Sequence, residues 1–347
     1  MIAAVLLAAG QGTRMNSRKQ KILHEVGGRP MVLHAFLAAA ELAGRRPVLV
    51  VGPGESGVQD LLGERAEYVV QPEPLGTGHA TLMAEPVLRG RADQVIVTYA
   101  DMPLLRAGTL RQLAETQRET AAAVVLLSVP GLPNSAFGRV VRDSSGGVAE
   151  IVEVAEAKRR ANATELLAIT ELNAGVYCFD GDWLWANIGR LPIREARRGR
   201  EYYLTDLVAM AVEQGRGVAA VLADDPDEGL GAGTRAEMVA VERAFRRRAN
   251  AHWLAQGVTL VEPDATWIDP DVTIGLDTVI WPNTFLQGRT TIGEDCVIGP
   301  NAVVRDCEVG RGCRVEQVLL DGVRVPDHTM VRPGEWRHPP TRPTGAI

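Results

Sequence analysis

The sequence predicts an α/β domain with a mostly parallel sheet, followed by a short parallel β-helix of hexapeptide repeats. Three observations carry this expectation. Over the first 225 residues, short apolar runs alternate with amphipathic stretches of helical period, the pattern of strand–helix–strand units. A glycine-rich turn follows the first apolar run directly. Beyond residue 257, aliphatic residues recur every six positions.

Buried strands are expected at Ala3–Ala8, Val48–Val51, Gln94–Tyr99 and Ala123–Val129, then at Gly147–Glu153, Gly175–Phe179 and Val218–Ala223. Helical patterns fill Met31–Ala43, Gly78–Leu88, Thr109–Thr120 and Thr205–Gln214. Residues 235–255 form one polar-rich helical stretch without Gly or Pro, read as a connecting helix. Ile268, Ile274, Ile280, Leu286, Ile292, Ile298 and Val304 then hold a strict period of six, and Val309 and Val315 continue it after a one-residue slip. One coil cannot bury its own apolar face, so these residues form a stacked interior column. The repeats at 268–320 make about three coils. The expected organisation is a first domain over 1–232, a connecting helix over 233–257, the β-helix over 258–330, and a Pro-rich tail over 331–347 that is disordered at its end.

Bulk properties exclude several classes. The net charge of −6 does not favour a nucleic-acid partner. The apolar run at Ile2–Ala9 is too short to span a membrane, and no leader pattern precedes it. The four cysteines contain no Cys-x-x-Cys pair, which argues against zinc and disulfides and fits a reducing, cytoplasmic setting. His24-Glu25 lacks the second histidine of a zinc helix. Only three lysines occur, Lys19, Lys21 and Lys158, against 34 arginines.

The candidate site begins at Leu7-Ala8-Ala9-Gly10-Gln11-Gly12-Thr13-Arg14-Met15, on the ligand side of the first strand. Two glycines let backbone N–H groups face a phosphate, and Arg14 and Lys21 add positive charge. No Gly-Lys-Ser/Thr follows, so this is not a P-loop. Asp101 ends a strongly apolar strand, where a hard carboxylate suits Mg²⁺.

These residues, followed by Lys21-Ile22-Leu23-His24, resemble the opening of the sugar-1-phosphate nucleotidyltransferases. More narrowly, they resemble the N-acetylglucosamine-1-phosphate uridylyltransferase (GlmU) branch. Gln71-Pro72-Glu73-Pro74-Leu75-Gly76-Thr77-Gly78-His79-Ala80, Tyr99-Ala100-Asp101-Met102-Pro103-Leu104 and Phe137-Gly138-Arg139-Val140 agree in order. So do Ile151-Val152-Glu153, Glu171-Leu172-Asn173-Ala174-Gly175 and Glu201-Tyr202-Tyr203-Leu204-Thr205-Asp206. The resemblance implies a Rossmann-like, GT-A-like nucleotidyltransferase domain and a left-handed β-helix. It implies transfer of a uridylyl group from UTP to N-acetylglucosamine 1-phosphate, with Mg²⁺. Another base or hexose within the same fold, and a non-catalytic sugar-nucleotide binder, are the rival readings.

On the same resemblance, Arg14, Lys21 and Asp101 are catalytic and Asp101 binds the metal. Leu7, Ala8, Ala9, Gly10, Gly12, Gln71, Gly76 and Thr77 hold the nucleotide. Tyr99, Gly138, Glu153, Asn173, Glu201, Tyr203 and Thr205 line the sugar side, with Thr205 also read as a helix N-cap. A homotrimer through the β-helix is implied as well.

Two departures stand out. Gly233 falls where the family carries an asparagine that completes the Mg²⁺ site, leaving water, Thr234 or Asp225 as substitutes. The acetyltransferase extension of bifunctional members is not matched, so that activity is expected to be absent.

Overall fold

The computed structural model describes residues 1–131, 135–196, 199–333 and 336–337. The chain divides into two compact units: Met1–His24 with Pro30–Met238, and Glu25–Arg29 with the chain from Val239 onward. Among the described residues, no helix is long and apolar enough to cross a membrane.

The first unit is built on one sheet. Its main path runs Val218–Leu222, Val124–Pro130, Glu171–Asp180, Gln94–Tyr99, Ile2–Leu7, Val48–Val51 and Glu67–Val70. Neighbours pair in parallel except at Glu171–Asp180, which runs antiparallel to both of its neighbours. Strand Ile2–Leu7 shows why the runs are wholly apolar. Ala4 and Leu6 face one core, with Val32, Phe36 and Leu110, while Ala3 and Val5 face a second, with Ala80, Leu184 and Leu207. A sheet covered on both faces has no polar side to reveal in its sequence.

The helix expected at Gly78–Leu88 starts at Gly76 and splits into Gly76–Leu82 and Glu85–Leu88. Pro86 has no N–H to continue the ladder. The expected strand at Gly175–Phe179 is the inner part of the longer Glu171–Asp180. Several elements were not expected from the sequence, among them edge strand Glu67–Val70, strand Arg139–Arg142, helices Gly57–Leu62 and Gly181–Asn187, and the paired strands Ile193–Ala196 and Gly199–Tyr202. Helix Arg235–Ala255 is continuous. Its start is capped: the Thr234 hydroxyl accepts from Glu237 N–H (3.1 Å), and the Glu237 carboxylate accepts from Gly233 N–H (2.7 Å).

The second unit holds the repeats. Its short strands stack in parallel into two sheets of five and one of four. Among the described residues four complete coils are therefore present, one more than the three expected. The column begins at Leu260 and continues through Leu320, Val325 and Val331, all buried. The two five-residue steps from Val315 to Leu320 to Val325 hide the last coil from a strict hexad search. Asp277, Asn283, Asp295 and Asn301 turn corners in the left-handed region, which short polar side chains tolerate. The Pro-rich tail beyond Arg337 lies outside the described residues.

Candidate active site

The site forms at the carboxyl ends of the parallel strands. Leu7 pairs with Tyr99, and Ala100 N–H donates to Leu7 O (3.1 Å), so the first loop and Asp101 leave adjacent strands side by side. Ala8 N–H is taken by Val50 O (2.8 Å). A Cβ at Gly10 would meet nothing within 4 Å, so the loop presents bare backbone to an open face. Gly12 is different. It sits at φ +59, and a Cβ there would lie 2.5 Å from Lys21 Cβ. Glycine at this position lets the Lys21 stem pass.

Lys21 opens a single 3-10 turn, Lys21–Leu23, and its ammonium donates to the Asp101 carboxylate. Both side chains are mostly shielded from solvent. The loop over Asp101 comes from residues 231–233: Ala232 N–H donates to Asp101 O (3.2 Å), and a Cβ on Gly231 would lie 3.9 Å from Asp101 Cγ. At Gly233 a Cβ would fall 2.5 Å from Arg14 Nη2 and 3.0 Å from Glu237 Oε2. The exposed Arg14 guanidinium thus sits in the space a side chain at 233 would use. Thr234 is spent on the helix cap. Asp225 caps its own turn and pairs with Arg106. Neither of the two side chains considered as substitutes for the second ligand is free. The donor set still fits a hard cation, because Mg²⁺ commonly takes one or two protein carboxylates with phosphates and water. Among the described residues no cluster of three metal-ligating side chains occurs.

A second group gathers around the turn at residues 71–77. Gln71 is buried, and its Nε2 donates to Gly76 O (3.1 Å) while lying 3.2 Å from His79 Nδ1. Gly76 has φ +92, and a Cβ there would press on the Tyr202 backbone. The Thr77 hydroxyl accepts from Leu204 N–H (3.0 Å). Gln71, Gly76 and Thr77 are thereby locked to the segment carrying Glu201, Tyr203 and Thr205. Thr205 occupies the N-cap position of helix Asp206–Glu213, but its side chain makes no cap bond, which corrects that part of the expectation.

A third group gathers around Asn173, Gly138 and Glu153. Asn173 is buried: its Nδ2 donates to the Tyr177 hydroxyl (2.7 Å), its Oδ1 accepts from Gly175 N–H (3.1 Å), and its N–H donates to Gly138 O (2.9 Å). It holds the register shift between Asn173 and Tyr177 in its strand. A Cβ at Gly138 would lie 3.3 Å from Glu153 Oε1, so the absence of a side chain there leaves room for that carboxylate. Glu153 is not an outward strand residue. It follows strand Val148–Val152 as the N-cap of a short turn of helix. Burial raises its pKa, Glu156 and Asp206 add to the rise, and Arg139 opposes it.

Tyr99 stands where the three groups meet. Burial raises its pKa, the charges of Glu153 and Asp101 act the same way, and a Thr77 hydrogen bond opposes them. Asp101, Thr77 and Glu153, one from each group, therefore act on one phenol. Arg139, Tyr177 and Glu237 were given no role from sequence. Arg139 is completely buried next to Gly138 at the start of strand Arg139–Arg142, where a second arginine at the exposed end gave no hint that the first is buried. Tyr177 and Glu237 lie in ordinary strand and helix patterns and gave none.

Comparisons with known proteins match both units of the chain. A family profile described as a MobA-like NTP transferase domain matches residues 4–169, and one described as bacterial transferase hexapeptide (six repeats) matches residues 271–306. A protein of Exiguobacterium sibiricum named "Bifunctional protein GlmU" is 41% identical over 330 residues, covering 95% of this chain and 72% of its own length. Proteins of the same name from Trichlorobacter lovleyi and Shouchella clausii are 40% and 37% identical, each matched over 73% of its own length.

Proposed function

The chain belongs to the GlmU family of sugar-1-phosphate nucleotidyltransferases, and from that premise we propose how its residues carry the reaction. UTP and N-acetylglucosamine 1-phosphate give UDP-N-acetylglucosamine and pyrophosphate. A sugar-phosphate oxygen forms a new bond to the α-phosphorus as the bond from that phosphorus to the pyrophosphate oxygen breaks. The protein's task is positioning and charge neutralisation. The loop from Leu7 through Gly12 offers backbone N–H groups to the triphosphate, and Arg14 and Lys21 bring positive charge to the α-phosphate and the leaving group. Gln71, Gly76 and Thr77 read the base. Tyr99, Gly138, Glu153, Asn173, Glu201, Tyr203 and Thr205 frame the sugar. Mg²⁺, held by Asp101 with phosphate oxygens and water, would supply further charge neutralisation at the phosphates.

The observation that carries this reading is the Lys21–Asp101 pair set beside a bare glycine loop at the sheet's ligand edge. The test is pyrophosphate release from each of four nucleoside triphosphates against a panel of sugar 1-phosphates, with and without Mg²⁺. UTP with N-acetylglucosamine 1-phosphate should lead. No turnover with UTP would overturn the assignment. Gly233 favours one second reading, a sugar-nucleotide binder without turnover. Calorimetric binding of UDP-sugar with no product over a wide Mg²⁺ range would select it.

We also propose a homotrimer built on the β-helix. In register along one sheet, Trp267, Phe285, Val303 and Leu319 point outward, and the first two rings stack at 4.3 Å. A neighbouring sheet presents Thr273, Thr291, Glu308 and Arg324 at the same level. Arg246 lies over the Trp267 ring (4.9 Å), so the apolar column this side offers to a packed neighbour is Phe285, Val303 and Leu319.

A further inference from the structure

We propose that the Lys21 ammonium and the divalent cation compete for the single Asp101 carboxylate, so that the metal binds there only when a phosphate draws Lys21 away. This rests on the metal-dependent transfer reading above, but its test needs no turnover.

Three observations carry it. First, Lys21 is not a wandering surface side chain. Its backbone is held by Leu23 N–H to Gln20 O (3.0 Å) and His24 N–H to Lys21 O (3.2 Å), and its stem fills the space that Gly12 leaves. The head is thereby directed at Asp101, its ion-pair partner among the described residues. Second, the pair is largely shielded, with the two side chains 16% and 19% exposed. Like charges brought together there are poorly screened by solvent. Third, Asp101 has little help. Gly231 and Gly233 bring no side-chain oxygen to the loop above it, and Thr234 and Glu237 are committed to the helix cap. A dication arriving alone would face the ammonium with one carboxylate to hold it. A triphosphate changes both terms. Its oxygens add ligands to the metal, and they also accept the Lys21 donors. The ammonium would then move from carboxylate to phosphate as the metal takes the carboxylate. One contact thus couples metal entry to delivery of the lysine.

The test measures uptake of Mn²⁺ by the full chain without nucleotide, from the loss of the free-ion electron paramagnetic resonance signal. Lys21→Met and Lys21→Gln, two neutral replacements, should each bind Mn²⁺ at least about tenfold more tightly than the unaltered chain. Lys21→Arg should stay as weak as the unaltered chain, and adding Asp101→Asn to Lys21→Met should abolish the gain. Equal Mn²⁺ affinity in the unaltered chain and in both neutral variants would overturn the proposal, as would a gain that survives the loss of Asp101. A parallel arm adds UTP. If UTP fails to bind, the functional reading fails, while the nucleotide-free contrast still decides the competition.

Discussion

Lys21 and Asp101 carry the proposed chemistry at the level of single side chains. Lys21→Ala and Asp101→Ala should each lower kcat at least about 100-fold, the order seen when a transition-state charge partner is removed. Melting curves close to the unaltered chain would show that the loss is chemical. Near-normal turnover in Lys21→Ala would refute its role. Gly233→Asn asks the opposite question. The new side chain adds an amide oxygen to the loop over Asp101, and the nearest atoms to its Cβ are the flexible ends of Arg14 and Glu237. Mg²⁺-dependent turnover should hold or rise, and a collapse of activity at normal stability would contradict this. Glu153 predicts a pH effect. Burial, more than Glu156 and Asp206, raises its pKa. The native state then keeps the proton over a range where the unfolded chain has released it. Stability from this group is full below the ordinary carboxylate range and is lost as pH rises through the raised native value. Glu153→Gln removes that loss. Its Tm relative to the unaltered chain should climb as pH rises from the carboxylate range toward neutrality, and parallel melts across that range would dispose of the idea.

At the level of elements, the register shift in Glu171–Asp180 does two jobs. It turns the strand at Gly175, φ +80, and it seats Asn173 against Tyr177 and Gly138. A Cβ at Gly175 would lie 2.5 Å from the Tyr99 ring, in a backbone region that L side chains avoid. Gly175→Ala should cost about 2–4 kcal/mol, from strain and overpacking together. Urea midpoints read the change directly, and an unshifted midpoint would mean the shift relaxes freely. The same reasoning accounts for the first loop, where a Cβ at Gly12 would strike Lys21 and one at Gly10 would meet nothing within 4 Å.

For the whole molecule, the β-helix is the element on which the proposed trimer is built. Light scattering should report three times the 37.3 kDa chain mass. A single-chain mass at micromolar concentration would remove the trimer proposal and leave the apolar column unexplained. The two units also differ in how they were legible. The hexad column is a local period, so most of it reads directly from the chain, and only the two five-residue steps concealed the last coil. The α/β unit reads through its buried strands, whose apolar runs need no partner to be recognised.

The sequence by itself determined the class of each unit, the loop after the first strand and the carboxylate at the end of the third expected strand. These are matters of period and of position along the chain, and both are local. Only the tertiary structure decided that Glu171–Asp180 runs antiparallel, that Glu153 is shielded rather than outward, and that Arg14 fills the space over Gly233. It also decided that Lys21 meets Asp101 across 80 residues of chain. Contacts at such separation depend on which strands become neighbours, and a one-dimensional pattern records burial without recording the partner.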